Sequence, residues 1–209
     1  MIRGTRIIAG REAANYVKMI DSLRKCLIEC GYDEIIIPSL WEQQTFVNKA
    51  GPEIMNQMYA FGDKKDRPIC LIPEVTAIIQ EIWNGGLSKT VKKPHRLFYV
   101  SRCYRYEKPQ KGRYREFNQF GVELLGGKSP DDKEEILRVL DKCLDKIGSF
   151  NYNISLSVKR GLDYYVEDGF EVECPDLGAQ KQVAGGGRYK EGIGFALGID
   201  RLLLAVGKV

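Results

Sequence analysis

Between Arg102 and Glu123, arginines, carboxylates, an amide and an aromatic ring recur in a pattern that could handle a phosphorylated substrate. The stretch reads as two strands around a basic loop that contains Pro109 and Gly112. Side chains alternate faces along a strand. Arg105 and Glu107 are therefore expected on one face of the first strand, and Phe117, Gln119, Gly121 and Glu123 on one face of the second. Phe120, Val122 and Leu124 take the other face, which suits a core. Guanidinium groups carry a permanent charge and a planar fork of donors, which matches phosphate oxygens. An aromatic ring flanked by polar groups can stack on a base. The hairpin reads as a nucleotide-binding device.

Other chemistries fit poorly. The one histidine, His95, has no partner for a triad or a histidine-rich metal centre. The six cysteines include no C-x-x-C pair, and Cys26 and Cys30, four apart, suit small apolar packing on a helix. No signal peptide is legible at Met1, and no apolar run could span a bilayer. A cytoplasmic chain with reduced thiols and no membrane contact is the expectation. The formal net charge of +4 permits contact with an anionic nucleotide or RNA but falls short of a dedicated nucleic-acid binder.

The elements that must hold the hairpin follow from periodicity. Arg11 to Cys30 has apolar residues at helical spacing and stops at Gly31. Glu34 to Pro38 suits a short strand, Leu40 to Asn48 a second helix, Ile69 to Ile72 a strand, and Glu74 to Trp83 a helix following Pro73. Asp131 to Ile147 carries acids in its first turn and an apolar stripe through Ile136, Val139, Leu140, Leu144 and Ile147. Tyr152 to Val158, Tyr164 to Glu173, Gln182 to Ala184 and Gly194 to Leu197 read as strands, and a helix through Leu202 closes the chain. With 209 residues and 44% hydrophobic content, this predicts an α+β fold on a mainly antiparallel sheet, as one domain over residues 1–209.

Four stretches also carry a resemblance. Tyr104 to Gln119 is similar to the second signature motif of class II aminoacyl-tRNA synthetases, in its histidyl form. Arg160-Gly161-Leu162-Asp163-Tyr164-Tyr165 resembles the first histidine-binding signature of the histidyl-tRNA synthetase family, and Ala184 to Tyr189 resembles the second. Gly194 to Arg201 is similar to the third class II motif. Weaker echoes at Arg3 to Thr5, Gly31 to Ile35 and Pro73 to Thr76 extend the likeness over nearly the whole chain.

The resemblance implies the class II synthetase catalytic fold, an antiparallel sheet flanked by helices. It implies ATP and Mg²⁺ as cosubstrate and ion, and activation of histidine to histidyl-adenylate. The expected acceptor is a histidine tRNA, reached through its acceptor stem. By the same resemblance, Arg105 would contact the α-phosphate, Arg113 and Arg201 the distal phosphates, Phe117 the adenine ring, and Glu107 the nucleotide. Glu74, Thr76 and Gln119 would hold the α-ammonium, while Glu123 and Tyr165 bracket the imidazole with Tyr164 alongside. Arg160 would be the catalytic arginine beside the reacting carboxylate. A homodimer pairing through Arg11 to Pro38 is implied too, with Ile35 to Ile37 near the contact.

The chain departs from the family pattern in places. Ile72 stands where an arginine is usual, Val75 where a glycine is usual, and Val166 to Glu171 differs from the usual continuation. The insertion that usually separates the second motif from the first histidine signature is absent between Glu123 and Arg160, and no anticodon-binding domain follows Arg201. The expectation is a bare catalytic core. A second reading is a non-catalytic, histidine-sensing subunit like the regulatory subunit of ATP phosphoribosyltransferase. A third is histidyl transfer to a non-tRNA acceptor.

Overall fold

A computed structural model describes residues 1–207; Lys208 and Val209, the end of the expected domain span, lie outside the described residues. Helix α1 (Gly10–Glu29) leads to strands β1 (Asp33–Glu34) and β2 (Leu40–Glu42), helix α2 (Gln43–Ala50), and strands β3 (Tyr59–Gly62) and β4 (Pro68–Leu71). Helix α3 (Thr76–Ile82) runs through a π-helical turn, Trp83–Leu87, into the short α4 (Ser88–Thr90). Then come β5 (His95–Tyr104), β6 (Glu116–Leu125), α5 (Asp131–Ile147), β7 (Asn153–Val158) and β8 (Gly169–Glu173). Strands β9 (Gln182–Tyr189) and β10 (Gly192–Gly198) precede α6 (Ile199–Val206).

Seven strands form one sheet in the order β1-β5-β6-β10-β9-β8-β7, antiparallel except for the β1–β5 pair. A smaller antiparallel sheet, β2-β4-β3, lies apart from it. The α+β class read from the sequence is the one observed.

The two faces of the large sheet have different tasks. Phe120, Val122 and Leu124 of β6, Phe170 and Val172 of β8, and Ile193, Phe195 and Leu197 of β10 are buried against α1, α5 and α6. Burial of each such side chain is worth about 1.5–3 kcal/mol. Phe98 and Phe120 stack with centroids 5.5 Å apart, tying β5 to β6 inside this layer. Helix α5 buries Ile136, Val139, Leu140, Cys143, Leu144 and Ile147, the stripe its spacing predicts. A second cluster, including Ile37, Phe46, Ile72, Val75, Ile78 and Ile79, packs α2, α3 and the small sheet at one end of the opposite face. The rest of that face is open and carries the polar residues.

Several local readings are corrected. Asp33–Glu34 is the only strand near Glu34 to Pro38, and the chain then runs extended with Ile36 at 88% exposure. Leu40 to Asn48 divides into β2 and the start of α2. Strand β5 ends at Tyr104, so Arg105 and Glu107 sit in the connecting loop, not on a strand face. Tyr164 and Tyr165 also lie before β8, held by one bridge between Tyr165 and Tyr189. Both corrections share a cause: each segment is held by isolated backbone bonds, Arg105 N–H to Arg115 O at 2.9 Å and Tyr165 N–H to Leu162 O at 3.3 Å among them, which no strand periodicity reports.

Candidate active site

Strand alternation brings to the open face Phe117, Gln119 and Glu123 of β6, Glu171 and Glu173 of β8, and Tyr189 of β9. Together with the loops before β6 and β8 they line a cavity of about 860 Å³. All twelve residues singled out in the sequence line this cavity: Glu74, Thr76, Arg105, Glu107, Arg113, Phe117, Gln119, Glu123, Arg160, Tyr164, Tyr165 and Arg201.

The floor is deep because glycines leave room. A Cβ on Gly121 would lie 2.0 Å from Tyr99 Cζ, and one on Gly194 would lie 2.0 Å from Glu123 Oε2. One on Gly185 would lie 2.5 Å from Arg160 Nη2, and one on Gly187 would lie 2.9 Å from the Tyr165 ring. Site side chains therefore lie flat on backbone.

At the closed end sits Glu123, 1% exposed. Thr76 Oγ1 donates to its Oε1 at 2.8 Å, and Tyr189 OH donates to its Oε2 at 2.7 Å. Burial outweighs both bonds and pushes the carboxyl from the usual 4.5 up to about 8. Glu74 is also buried; its Oε1 accepts the Ala77 backbone N–H at 3.0 Å and its Oε2 accepts from Tyr164 OH at 3.3 Å. Burial raises its pKa in the same direction. The Tyr164 and Tyr165 rings pack with centroids 4.6 Å apart, and Tyr164 meets Tyr189 edge-on at 6.1 Å. The Gln119 amide oxygen is turned to Cys103 Sγ, at 3.3 Å.

The other end is cationic. Arg105 donates through Nε to Pro73 O at 2.8 Å and lies 5.4 Å from the Phe117 ring centroid. Arg113 pairs with Glu107 at 2.6 Å. Arg201, in the first turn of α6, donates to Gly112 O and Gln182 O, each at 2.7 Å, and to Gln180 Oε1 at 3.1 Å. Burial, with Arg113 and Arg105 nearby, lowers its pKa. Arg160 lies between the two ends: Nη1 meets Glu171 Oε2 at 3.0 Å, Cζ sits 5.7 Å from the Tyr165 centroid, and Nε is buried with no partner. A buried, unpartnered donor favours an anionic acceptor.

The structure gathers the twelve residues and gives some of them partners that the expectation did not name. Glu123 is held by Thr76 and Tyr189. Tyr189 ends the matched Ala184 to Tyr189 stretch, yet it looks like a core aromatic in a strand and was not singled out. Glu171, the partner of Arg160, was likewise missed; its signal was its alternation with Phe170 and Val172.

A seven-stranded, mainly antiparallel sheet with helices on one face, and an arginine-lined cavity on the other, define a class II aminoacyl-tRNA synthetase fold. The family model described as "Histidyl-tRNA synthetase" matches residues 4–159. The chain belongs to the histidyl-tRNA synthetase family. The histidine–tRNA ligase of Methanosarcina acetivorans is 29% identical over 306 aligned positions, covering 96% of this chain and 74% of that protein. Those positions exceed the 209 residues of this chain. Much of the relative's matched region therefore has no counterpart here, as the missing insertion leads one to expect. The apo histidyl-tRNA synthetase of S. aureus superposes with a TM-score of 0.83 at 28% identity, covering 99% of this chain and 70% of that one. An ATP phosphoribosyltransferase regulatory subunit/histidyl-tRNA synthetase from Bacillus halodurans has a TM-score of 0.82 at 17% identity, covering 97% and 82%; this likeness is one of fold.

The Glu123 carboxyl has a measurable consequence for stability. With a folded pKa raised above the unfolded one, its contribution is complete below about pH 4.5 and is lost as pH rises through about 8. The stability of the wild type relative to Glu123→Gln should therefore fall from pH 5 to pH 8.5, by an amount on the order of a few kcal/mol. Urea unfolding of both proteins across that range checks this; a difference that stays constant or grows with pH contradicts the protonated carboxyl.

Proposed function

We propose that this chain activates histidine with ATP to form histidyl-adenylate and pyrophosphate, then passes the histidyl group to the 3′ end of a histidine tRNA. The observation that carries the reading is the division of one cavity into a buried carboxyl end and an arginine-lined end, with Arg160 between them.

An imidazole entering the closed end meets Glu123 with its proton still on. One proton is then shared between carboxyl and ring, giving a carboxylate–imidazolium pair at neutral pH with no net exchange with solvent. A site with such a polar partner rejects analogues lacking the ring nitrogen, because the proton of a buried carboxyl would be left without an acceptor. Glu74, Thr76 and Gln119 would take the α-ammonium. For Gln119 this requires the amide oxygen to turn from Cys103 into the cavity.

The histidine carboxylate attacks the α-phosphorus, and pyrophosphate leaves in line. Negative charge grows on oxygens that Arg105 and Arg160 can neutralise, in a site where donors are already in place. Arg113 and Arg201 would grip the distal phosphates after exchanging their present partners, Glu107 and the Gly112 carbonyl, for phosphate oxygens. Phe117, backed by Arg105, would stack on adenine. Mg²⁺ would enter with the nucleotide. Among the described residues no group of three or more His, Cys, Asp or Glu side chains could hold a metal, so phosphate oxygens would be its main ligands. In the second step the terminal ribose hydroxyl of the tRNA attacks the acyl carbon and AMP leaves.

The histidine-sensing reading draws on the fold likeness to the Bacillus halodurans protein. A sensor has no use for three arginines lining a nucleotide-sized end, which favours the ligase. The cytoplasm is the location that goes with this reading; among the described residues no helix is long and apolar enough to cross a bilayer.

Histidine, and no other standard amino acid, is expected to support ATP–pyrophosphate exchange. Arg160→Ala should slow that exchange at least about a hundredfold, on the order of 3 kcal/mol, with a smaller loss in histidine binding. Exchange with none of the amino acids would favour the sensor. Active exchange without charging of a histidine tRNA, or of a minihelix carrying its acceptor stem, would point to a different acceptor.

The chain should also be a homodimer. Val17 and Ile28 on α1, and Ile36 beyond β1, are each more than half exposed within the region expected to pair. Light scattering at micromolar concentration is expected to give twice the chain mass; a stable monomer would remove this part of the proposal.

A further inference from the structure

The segment before α1 stands outside the cavity, yet it holds the loop that carries the nucleotide-facing arginines. Gly4, at φ +88°, presents its carbonyl to the Arg115 N–H at 2.7 Å. Its missing side chain matters, since a Cβ there would lie 2.7 Å from Arg115 Cγ and 2.9 Å from Pro109 Cγ. Two residues on, the Arg6 guanidinium donates through Nε and Nη2 to Asp200 Oδ1 at 3.2 and 2.6 Å, and pairs with Glu12 through Nη1. The same guanidinium packs over Tyr114, 4.8 Å from the ring centroid.

Asp200 extends the chain of contacts. Its Oδ2 accepts the Asn118 backbone N–H at 2.7 Å, fixing the start of β6. Its neighbour Arg201 holds Gly112 O, near the tip of the same loop. The loop between Arg105 and Glu116 is thus fastened at its tip by a cavity residue and along its returning arm by Gly4 and Arg6. The Arg6 side chain is only 18% exposed and that of Asp200 6%, so solvent competes weakly for this pair. A surface ion pair would contribute little; this one joins three segments, the N-terminal stretch, the loop and α6.

We propose that Arg6 is a positioning residue for the nucleotide half of the site: bound to Asp200 and laid on Tyr114, it sets the place of the loop bearing Arg113 and of the α6 start bearing Arg201. The inference rests on the ATP-binding reading of the cavity. Arg6 touches neither substrate in this account. It acts on nucleotide affinity through Tyr114 and Asp200, whereas Glu123 and Glu74 at the histidine end are held by Thr76, Tyr189, Tyr164 and the Ala77 N–H, none of which bonds to Arg6.

The test compares wild type, Arg6→Met, Arg6→Lys and Gly4→Ala by two readouts. The first is hydrogen exchange of the ligand-free protein over residues 105–118, which reports local opening whether or not the protein is an enzyme. The second is the pair of KM values, for ATP and for histidine, in pyrophosphate exchange. Arg6→Met should speed exchange across 105–118 about tenfold, leave α5 unchanged, and raise the KM for ATP about tenfold while that for histidine stays within about twofold. Arg6→Lys, which keeps the charge opposite Asp200, should recover part of both effects. If Arg6→Met does not fold, Arg6→Lys carries the test of Arg6 by the same two readouts, and Gly4→Ala, which pushes on Arg115 and Pro109 and strains a backbone at φ +88°, should give the same split through the same loop. Unchanged hydrogen exchange over 105–118, or equal losses for the two substrates, would overturn the role of Arg6. A wild type without pyrophosphate exchange would instead defeat the ligase reading, and hydrogen exchange would still decide whether Arg6 holds the loop.

Discussion

Glu123 is a carboxyl with almost no access to water, and the arrangement of the site follows from what it takes to keep it there. A buried acid without partners is costly. Here the cost is met by Thr76 from the start of α3 and Tyr189 from the end of β9, one on each oxygen. One donor belongs to α3 and the other to the large sheet, and the Tyr189 ring packs in the same cluster as the α3 residues Ala77, Ile78 and Ile79. Holding Glu123 therefore requires both to be assembled. Tyr189 in turn packs against Tyr164, which donates to the second buried acid, Glu74. The polar end of the cavity is one connected network, and networks of this kind specify a single geometry when every member is satisfied.

The sheet contributes mainly by omission. Where β6, β9 and β10 pass beneath the cavity they carry Gly121, Gly185, Gly187 and Gly194, each backed by a site side chain too close to admit a Cβ. The opposite face of the same strands carries Phe120, Phe195 and Leu197, packed on the helices. One face stabilises and the other makes room, so strand alternation divides the work between folding and function. Glycine costs strand stability, and the helix-facing layer offsets it.

Much of this was legible in the sequence, for identifiable reasons. The α5 boundaries follow from an amphipathic stripe and an acidic first turn, both local signals. The division of β6 into a polar and an apolar face follows from period-two alternation. The cavity-lining set was legible because signature stretches carry it, although those stretches do not say which residues touch. The bond from Tyr189 to Glu123 was not legible, because it depends on the register between β9, β10 and β6. Loop placement was the other failure: Arg105, Glu107, Tyr164 and Tyr165 were read as strand residues, but isolated turn and bridge bonds, not a continuous ladder, hold these segments. Arg6 was invisible as well, since its partners Tyr114 and Asp200 each lie more than a hundred residues away along the chain.

The central claim is that Glu123 selects histidine. Calorimetric titration of the chain with histidine in the absence of ATP tests it most directly, because it requires neither turnover nor an acceptor. The account predicts one histidine bound per chain, with affinity falling at least about tenfold in Glu123→Gln, the effect of losing a charge-assisted hydrogen bond in a buried site. Histidine binding of equal strength in Glu123→Gln and wild type would contradict it.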